Sequence, residues 1–165
     1  MNKSNTHTIS VLVANKPGVL VRIALVFARR GYNIDSLVVS PTVNPKFSRM
    51  TITAKGDPET LEQIIKNVNK LVDIIHAGEH DMTLSIEKEL ALFKIKASPA
   101  AKTFIKKCSL KFHVKIDDAS QSYLVIEQTG TTAQVDEFET LIKKYNLVEM
   151  VRTGKVLITK GKEST

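Results

Sequence analysis

Apolar and polar residues alternate from Thr8 through Val13, the two-residue period of a strand with one buried face. The turn Asn15-Lys16-Pro17-Gly18 ends that period and a helical one begins. Leu20, Ile23, Ala24, Phe27 and Ala28 recur at i, i+3, i+4, i+7 and i+8, while Arg22, Arg29 and Arg30 lie largely off that stripe. Gly31 is a stop signal, and Tyr32 to Val39 reads as a second strand. A turn-rich connection, Pro41 to Lys46, leads into a third strand from Phe47 to Lys55. Asp57 as N-cap, Pro58 at the first helical position and the stripe Leu61, Ile64, Ile65, Val68 predict a second helix. Leu71 to His76, rich in β-branched residues, is a fourth strand. The order β-α-β-β-α-β is ferredoxin-like.

The pattern breaks at Gly78 and Glu79-His80-Asp81 and resumes at Met82 to Ile86, so residues 81–88 read as a connection. Beyond it, Glu89 to Lys96 is a strand, and Ser98-Pro99 caps a short helix reaching about Cys108. Two further strands follow at Leu110 to Ile116 and Ser122 to Gln128. Thr131 with Gln134 forms a capping box ahead of the stripe Val135, Phe138, Leu141, Ile142. Leu147 to Arg152 and Val156 to Thr159 close the chain as strands. The second half repeats the element order of the first. The expected fold is α+β, with two βαββαβ domains at residues 7–80 and 89–161.

Composition changes this picture little. A 165-residue chain with 42% hydrophobic residues buries one moderate core or two small ones. Cys108 is the only cysteine, so no intramolecular disulfide forms, and it reads as a buried apolar residue in a reducing compartment. Residues 1–7 lack an apolar leader core, and no run approaches the roughly 18 apolar residues of a membrane span, so a cytoplasmic location is expected. The net charge of +7 raises nucleic acid as a partner. It is spread evenly: residues 1–80 carry 10 basic and 6 acidic side chains, and 81–165 carry 14 and 11. Lys102, Lys106, Lys107, Lys111 and Lys115 read as a solvated face without aromatic interleaving.

The chemistry concentrates at the first turn. The leading N–H groups of a helix have no intrahelical partners and sit at the positive end of its dipole, which suits a carboxylate. Gly18 permits close approach, Asn15 can cap the helix or donate its amide to an anion, and Pro17 removes an N–H of little use there. Such a turn by itself reads first as a capped helix start.

Taken with the helix exit Arg30-Gly31-Tyr32-Asn33-Ile34, the turn Asn15-Lys16-Pro17-Gly18-Val19-Leu20 resembles an ACT domain, the small amino-acid-sensing module. Ser36-Leu37 and Ser48-Arg49-Met50-Thr51-Ile52 bring the resemblance closer to the regulatory small subunit of acetolactate synthase (acetohydroxyacid synthase). In the second half Glu89-Leu90-Ala91-Leu92, Glu127-Gln128-Thr129-Gly130 and Arg152-Thr153-Gly154 look like that family's C-terminal domain. Lys88-Glu89 stands where the family usually has Arg-Glu, Lys160-Gly161 where it has Arg-Gly, and Lys106 to Asp118 departs from the pattern. The resemblance covers Thr8 to Gly161.

The resemblance implies a chain with no catalytic chemistry and no cofactor of its own. Its partner would be a catalytic large subunit that carries thiamin diphosphate, a divalent metal such as Mg and usually FAD. The chain would activate that enzyme and make it sensitive to branched-chain amino acids, most often valine. Two ACT domains would pair as a homodimer with the effector between them. Asn15 and the backbone of Gly18, Val19 and Leu20 would hold the effector's carboxylate, while Asn33 and Ile34 of the neighbouring chain meet its ammonium group and side chain.

Other function classes fit less well. His7, His76, His80 and His113 are scattered, and the i, i+4 spacing of His76 and His80 falls on a strand and turn, where it makes no helical zinc pair. Asp117-Asp118 and Asp136-Glu137 read as a turn and an acidic helix start. A free-standing ACT sensor, acting on another enzyme or on transcription, is the remaining alternative. The second α/β half, where a DNA-binding regulator would carry a helix-turn-helix, argues against the transcriptional form.

Overall fold

The structure is a computed structural model that describes residues 6–81, 83–162 and 165. Residues 1–5 of the expected leaderless N-terminus and Met82 of the expected connection lie outside the described residues.

In the first half the expected elements form with shifted ends. Strand β1 (Thr6–Ala14) leads to α1 (Val19–Arg29), then β2 (Ile34–Pro41), β3 (Phe47–Lys55), α2 (Pro58–Asn69) and β4 (Ile74–Glu79). Pro17 therefore precedes α1. The buried positions of that helix are Val19, Ile23 and Phe27, four residues apart, while Leu20 and Ala28 of the predicted stripe are exposed. β2 starts at Ile34 because Tyr32 belongs to the exit of α1: Gly31, at φ 71°, donates its N–H to Ala28 O and Tyr32 donates to Phe27 O, a Schellman stop. β4 starts at Ile74 because Leu71 still donates its N–H to Val68 O at the end of α2.

The second half supplies β5 (Ser85–Lys96), α3 (Pro99–Cys108), β6 (His113–Ala119), β7 (Tyr123–Gly130), α4 (Thr132–Ile142) and β8 (Leu147–Arg152), then β9 (Val156–Thr159). β6 begins three residues later than the pattern indicates, because Lys111 and Phe112 turn their N–H groups back onto Cys108 O. The capping box forms as read, with Thr131 Oγ1 accepting from Gln134 N and Gln134 Oε1 accepting from Thr131 N.

Both halves are antiparallel sheets with the same strand order, β2-β3-β1-β4 and β6-β7-β5-β8, and β9 pairs with β5. The first core joins Ile9, Val11 and Val13 to Ile23, Phe27, Ile52, Leu61 and Ile64; the second centres on Phe93, Leu124, Ile126 and Phe138. Compact packing groups the described residues up to Ile86 with the described residues from Lys155 onward, and Glu87–Gly154 as a second unit. The C-terminal strand goes with the first unit because β5 starts at Ser85, within the predicted connection, and Lys160 donates its N–H to Leu84 O at 2.8 Å.

Candidate functional site

The turn into α1 is held by its backbone and by one distant carboxylate. Asn15 receives a structural task that the sequence reading did not assign. Its N–H donates to Lys46 O at 2.8 Å and its side-chain amide donates to Pro45 O at 3.0 Å, which ties the turn to the β2–β3 hairpin. Asn15 does not cap α1. Gly18 is the N-cap residue, at φ 81° and ψ −9°, and a left-handed residue there favours glycine whatever the surrounding space. Lys16 lies 3.3 Å from Asp73 Oδ1 and the Arg22 guanidinium binds Asp73 Oδ2, while Asp73 O accepts from Ala14 N at 2.8 Å. Asp73 was missed because it lies 57 and 51 residues from its two partners. The available signal was Arg22 itself, a cation within an otherwise apolar turn of helix.

The consequence is an uncapped helix start whose nearby cations are already neutralised. Asp57, Ser98 and Thr131 each place a side-chain oxygen on the first-turn N–H groups of α2, α3 and α4. α1 has no side-chain cap and no acidic residue in its first turn. Its leading N–H groups therefore have no side-chain cap and no acidic residue within the helix's own first turn, and the Asp73 carboxylate beside the turn is taken up by Lys16 and Arg22. Val19 is buried and Leu20 is 39% exposed, so the two expected contact residues point to different surroundings.

The exit of α1 carries the other expected residues. Asn33 is exposed and donates its amide to Asp35 Oδ1 at 3.4 Å; Ile34 is half-buried against the core and pairs with Ala54. Eleven residues of α1 separate this end from the Gly18 turn, about 16 Å at 1.5 Å per residue. A single chain thus does not gather Asn15 and Gly18 with Asn33 and Ile34.

Tyr32 donates to Asp57 O at 2.7 Å and to Asp57 Oδ2 at 2.9 Å, clamping the exit of α1 to the start of α2. Its pKa is raised by burial first and by the Asp57 hydrogen bond second; the Asp57 carboxyl is held low chiefly by the Thr60 backbone N–H. The ring crosses Gly56 so closely that an added Cβ would lie 2.0 Å from Tyr32 Cε1. Gly56→Ala is expected to swing Tyr32 off Asp57 and to lower the midpoint of urea unfolding. Combining it with Tyr32→Phe should add little, since both remove the same contact.

The Ser48-to-Ile52 motif lies on β3, with Ser48, Met50 and Ile52 buried. Burial lowers the pKa of Arg49 between them, and its buried Nη1 has no acceptor among the described residues.

The second-half motifs resolve into one ion-pair cluster. Arg152 donates from Nη2 to Glu89 Oε2 at 2.6 Å and from Nη1 to Asp136 Oδ1 at 2.6 Å, and Thr132 Oγ1 donates to Glu89 Oε1. Burial opposes the Arg152 charge, but the bonds to Glu89 and Asp136 outweigh it and its pKa is raised. Asp136, read as a simple acidic helix start, is a member of this cluster. Thr153 is hydrogen-bonded to the backbone of Leu90, and Gln128, fully buried, donates to Gln134 O at 3.0 Å. These residues join β5, β7, β8 and α4.

His80 Nε2 bonds Ser10 Oγ, and His7 lies between Glu79 Oε1 at 2.8 Å and Gly56 O at 3.2 Å. Among the described residues no group of three or more His, Cys, Asp and Glu is placed to hold a metal ion, and no helix is long and apolar enough to cross a membrane. Cys108 is buried, and burial pushes its thiol pKa up.

Comparison with known proteins covers both halves. Residues 9–76 match the AHAS small subunit-like ACT domain, and residues 88–161 match the small subunit of acetolactate synthase. The chain is 43% identical to a probable acetolactate synthase small subunit of Archaeoglobus fulgidus, over 94% of this chain and 97% of that one. It is 39% identical to the acetolactate synthase small subunit of Mycolicibacterium smegmatis, over 97% and 94%. The crystal structure of the acetolactate synthase small subunit from Thermotoga maritima superposes with a TM-score of 0.85 at 36% identity, covering 96% of this chain and 99% of that one.

Proposed function

The chain belongs to the family of acetolactate synthase small subunits, and we propose that it regulates a thiamin-diphosphate-dependent catalytic large subunit in the cytoplasm. It binds that enzyme, raises its activity and makes it answer to a branched-chain amino acid, valine foremost. The observation that carries the effector half of this reading is the uncapped, glycine-led start of α1. An amino acid needs an anion site, an amide or carbonyl for its ammonium group, and an apolar slot. The α1 start supports the first, Asn33 the second, and Leu20 with Ile34 the third.

Because the two ends of α1 stand apart, the site is completed by a second copy. Support for such a pair comes from α1 itself. Outside its buried stripe it exposes Leu20, Val21 and Leu25 at 39%, 61% and 47%, a second apolar face on a helix that should need only one. β2 is an edge strand of its sheet, open to pairing. An effector touching two chains binds one arrangement of the pair better than another, and that difference in affinity shifts the assembly and the enzyme held by it.

The deciding measurement is the rate of acetolactate formation from pyruvate by the large subunit alone, with this chain, and with this chain plus valine. Activation that valine reverses is the expected result. Activation indifferent to valine, isoleucine and leucine would keep the partner and remove the effector; no activation at all would favour a free-standing sensor.

A further inference from the structure

We propose that Arg49 is the centre of a second anion site, on the helix-free face of the first sheet, and that it takes a small oxyanion of the carboxylate or phosphate class. Helices α1 and α2 cover the other face, where Val11, Met50 and Ile52 join the core. Strand alternation turns Leu12, Arg49 and Thr51 away from the helices. The register lays this face out in rows across the sheet, with Ser40, Arg49, Leu12 and His76 in one and Val38, Thr51, Ser10 and Gly78 in the next. The row beyond holds Ser36, Thr53 and Thr8. Hydroxyl groups predominate, and none of these rows carries a carboxylate. Asp35, beside the register shift in β2, pairs with Lys55 at 3.5 Å. That pair lies about 20 Å along β3 from Arg49.

Arg49 stands out because nothing answers its charge. Among the other arginines, Arg29 and Arg30 are exposed, Arg22 binds Asp73, and Arg152 binds Glu89 and Asp136. Arg49 is half-buried, and among the described residues no carboxylate pairs with it and no acceptor meets its buried Nη1. A guanidinium withdrawn from water without a counter-charge is costly, so an anion that supplies one binds with that cost already met. Deeper on the face Ser10 Oγ bonds His80 Nε2 and Thr8 Oγ1 accepts from Lys155 Nζ at 3.5 Å. The face opens at the row of Arg49, whose ends, Ser40 and His76, are exposed. Ser40 stands directly opposite Arg49, with the two Cβ atoms about 5 Å apart. The guanidinium fork and the Ser40 hydroxyl thus offer donors to one oxyanion, beside the apolar Leu12 and Val38.

The test labels the arginine side chains of the full chain with nitrogen-15 and follows Arg49 Nε, assigned by its loss in Arg49→Met. Inorganic phosphate or acetate replaces chloride at constant ionic strength, and the one that saturates identifies the class of anion. A saturable shift is expected, at least about tenfold tighter than any response of the exposed Arg29 or Arg30. The same anion should raise the thermal midpoint of the parent more than that of Arg49→Met. Anion capture at the start of α1 is common to both chains and cancels in that comparison. An Arg49 response no tighter than those of Arg29 and Arg30, or an equal rise in both midpoints, would overturn the proposal. So would a resonance that moves only when the large subunit is added, since the guanidinium would then belong to a carboxylate of the enzyme.

Discussion

Arg152→Ala is expected to destabilise the protein by about 3–5 kcal/mol, because it strands a buried carboxylate. Glu89 is 4% exposed at its side chain, and among the described residues its charge is answered, beyond the Thr132 hydroxyl, by the Arg152 guanidinium. The same guanidinium holds Asp136 and approaches Glu139 at 3.6 Å, so one side chain from β8 ties β5 to α4. Arg152→Lys should recover only part of the loss, since a single ammonium cannot serve Glu89 and Asp136 together through a planar fork. The check is urea unfolding of Arg152→Ala, Glu89→Gln and the double variant. The double variant should be more stable than Arg152→Ala, because it removes the stranded charge along with its partner. If Arg152→Ala unfolds at the parent midpoint, the cluster is solvated in practice and contributes little.

That cluster also marks where the sequence was legible and where it was not. Period and turn chemistry carried the element order, because α1 and α2 each have one wet face and the chain is punctuated at Gly18, Gly31 and Asp57-Pro58. Element ends drifted where backbone hydrogen bonds extended a helix exit, as at Tyr32, Leu71 and Phe112, since such bonds leave no mark in hydrophobic spacing. Long-range polar contacts stayed hidden for a similar reason. Asp73 beneath Lys16 and Arg22, and Arg152 beneath Glu89 and Asp136, pair residues 16 to 63 positions apart, and charge alone does not select a partner at that range. The family motifs flagged Glu89, Arg152, Thr153 and Asn15 as important without distinguishing ligand contact from structure. In the fold Glu89 and Arg152 bind each other and are structural, and Asn15 has a bond to Pro45 O that its expected role did not include.

Asn15 is therefore the residue whose replacement tests most. Its amide has two N–H donors, one of which is spent on Pro45 O. The second has no acceptor among the described residues, and in the proposed site it would meet the effector carboxylate, a charge-assisted bond of about 1.5–3 kcal/mol, or roughly ten- to hundredfold in affinity. Asn15→Ala should weaken the valine response by that factor, and Asn33→Ala should weaken it through the ammonium side. Either result alone could also follow from a loosened turn. Mixing the two variants separates the readings. If Asn15 of one chain and Asn33 of its neighbour build each site, a mixed pair holds one intact site and one doubly altered site. Equal mixing then restores about a quarter of the sites, because half of randomly formed pairs are mixed. Valine titration of the holoenzyme should show this as a fraction responding at the parent concentration. A site made within one chain would gain nothing from mixing, whatever the separation of its residues along α1, and that outcome would retire the shared site while leaving activation of the large subunit untouched.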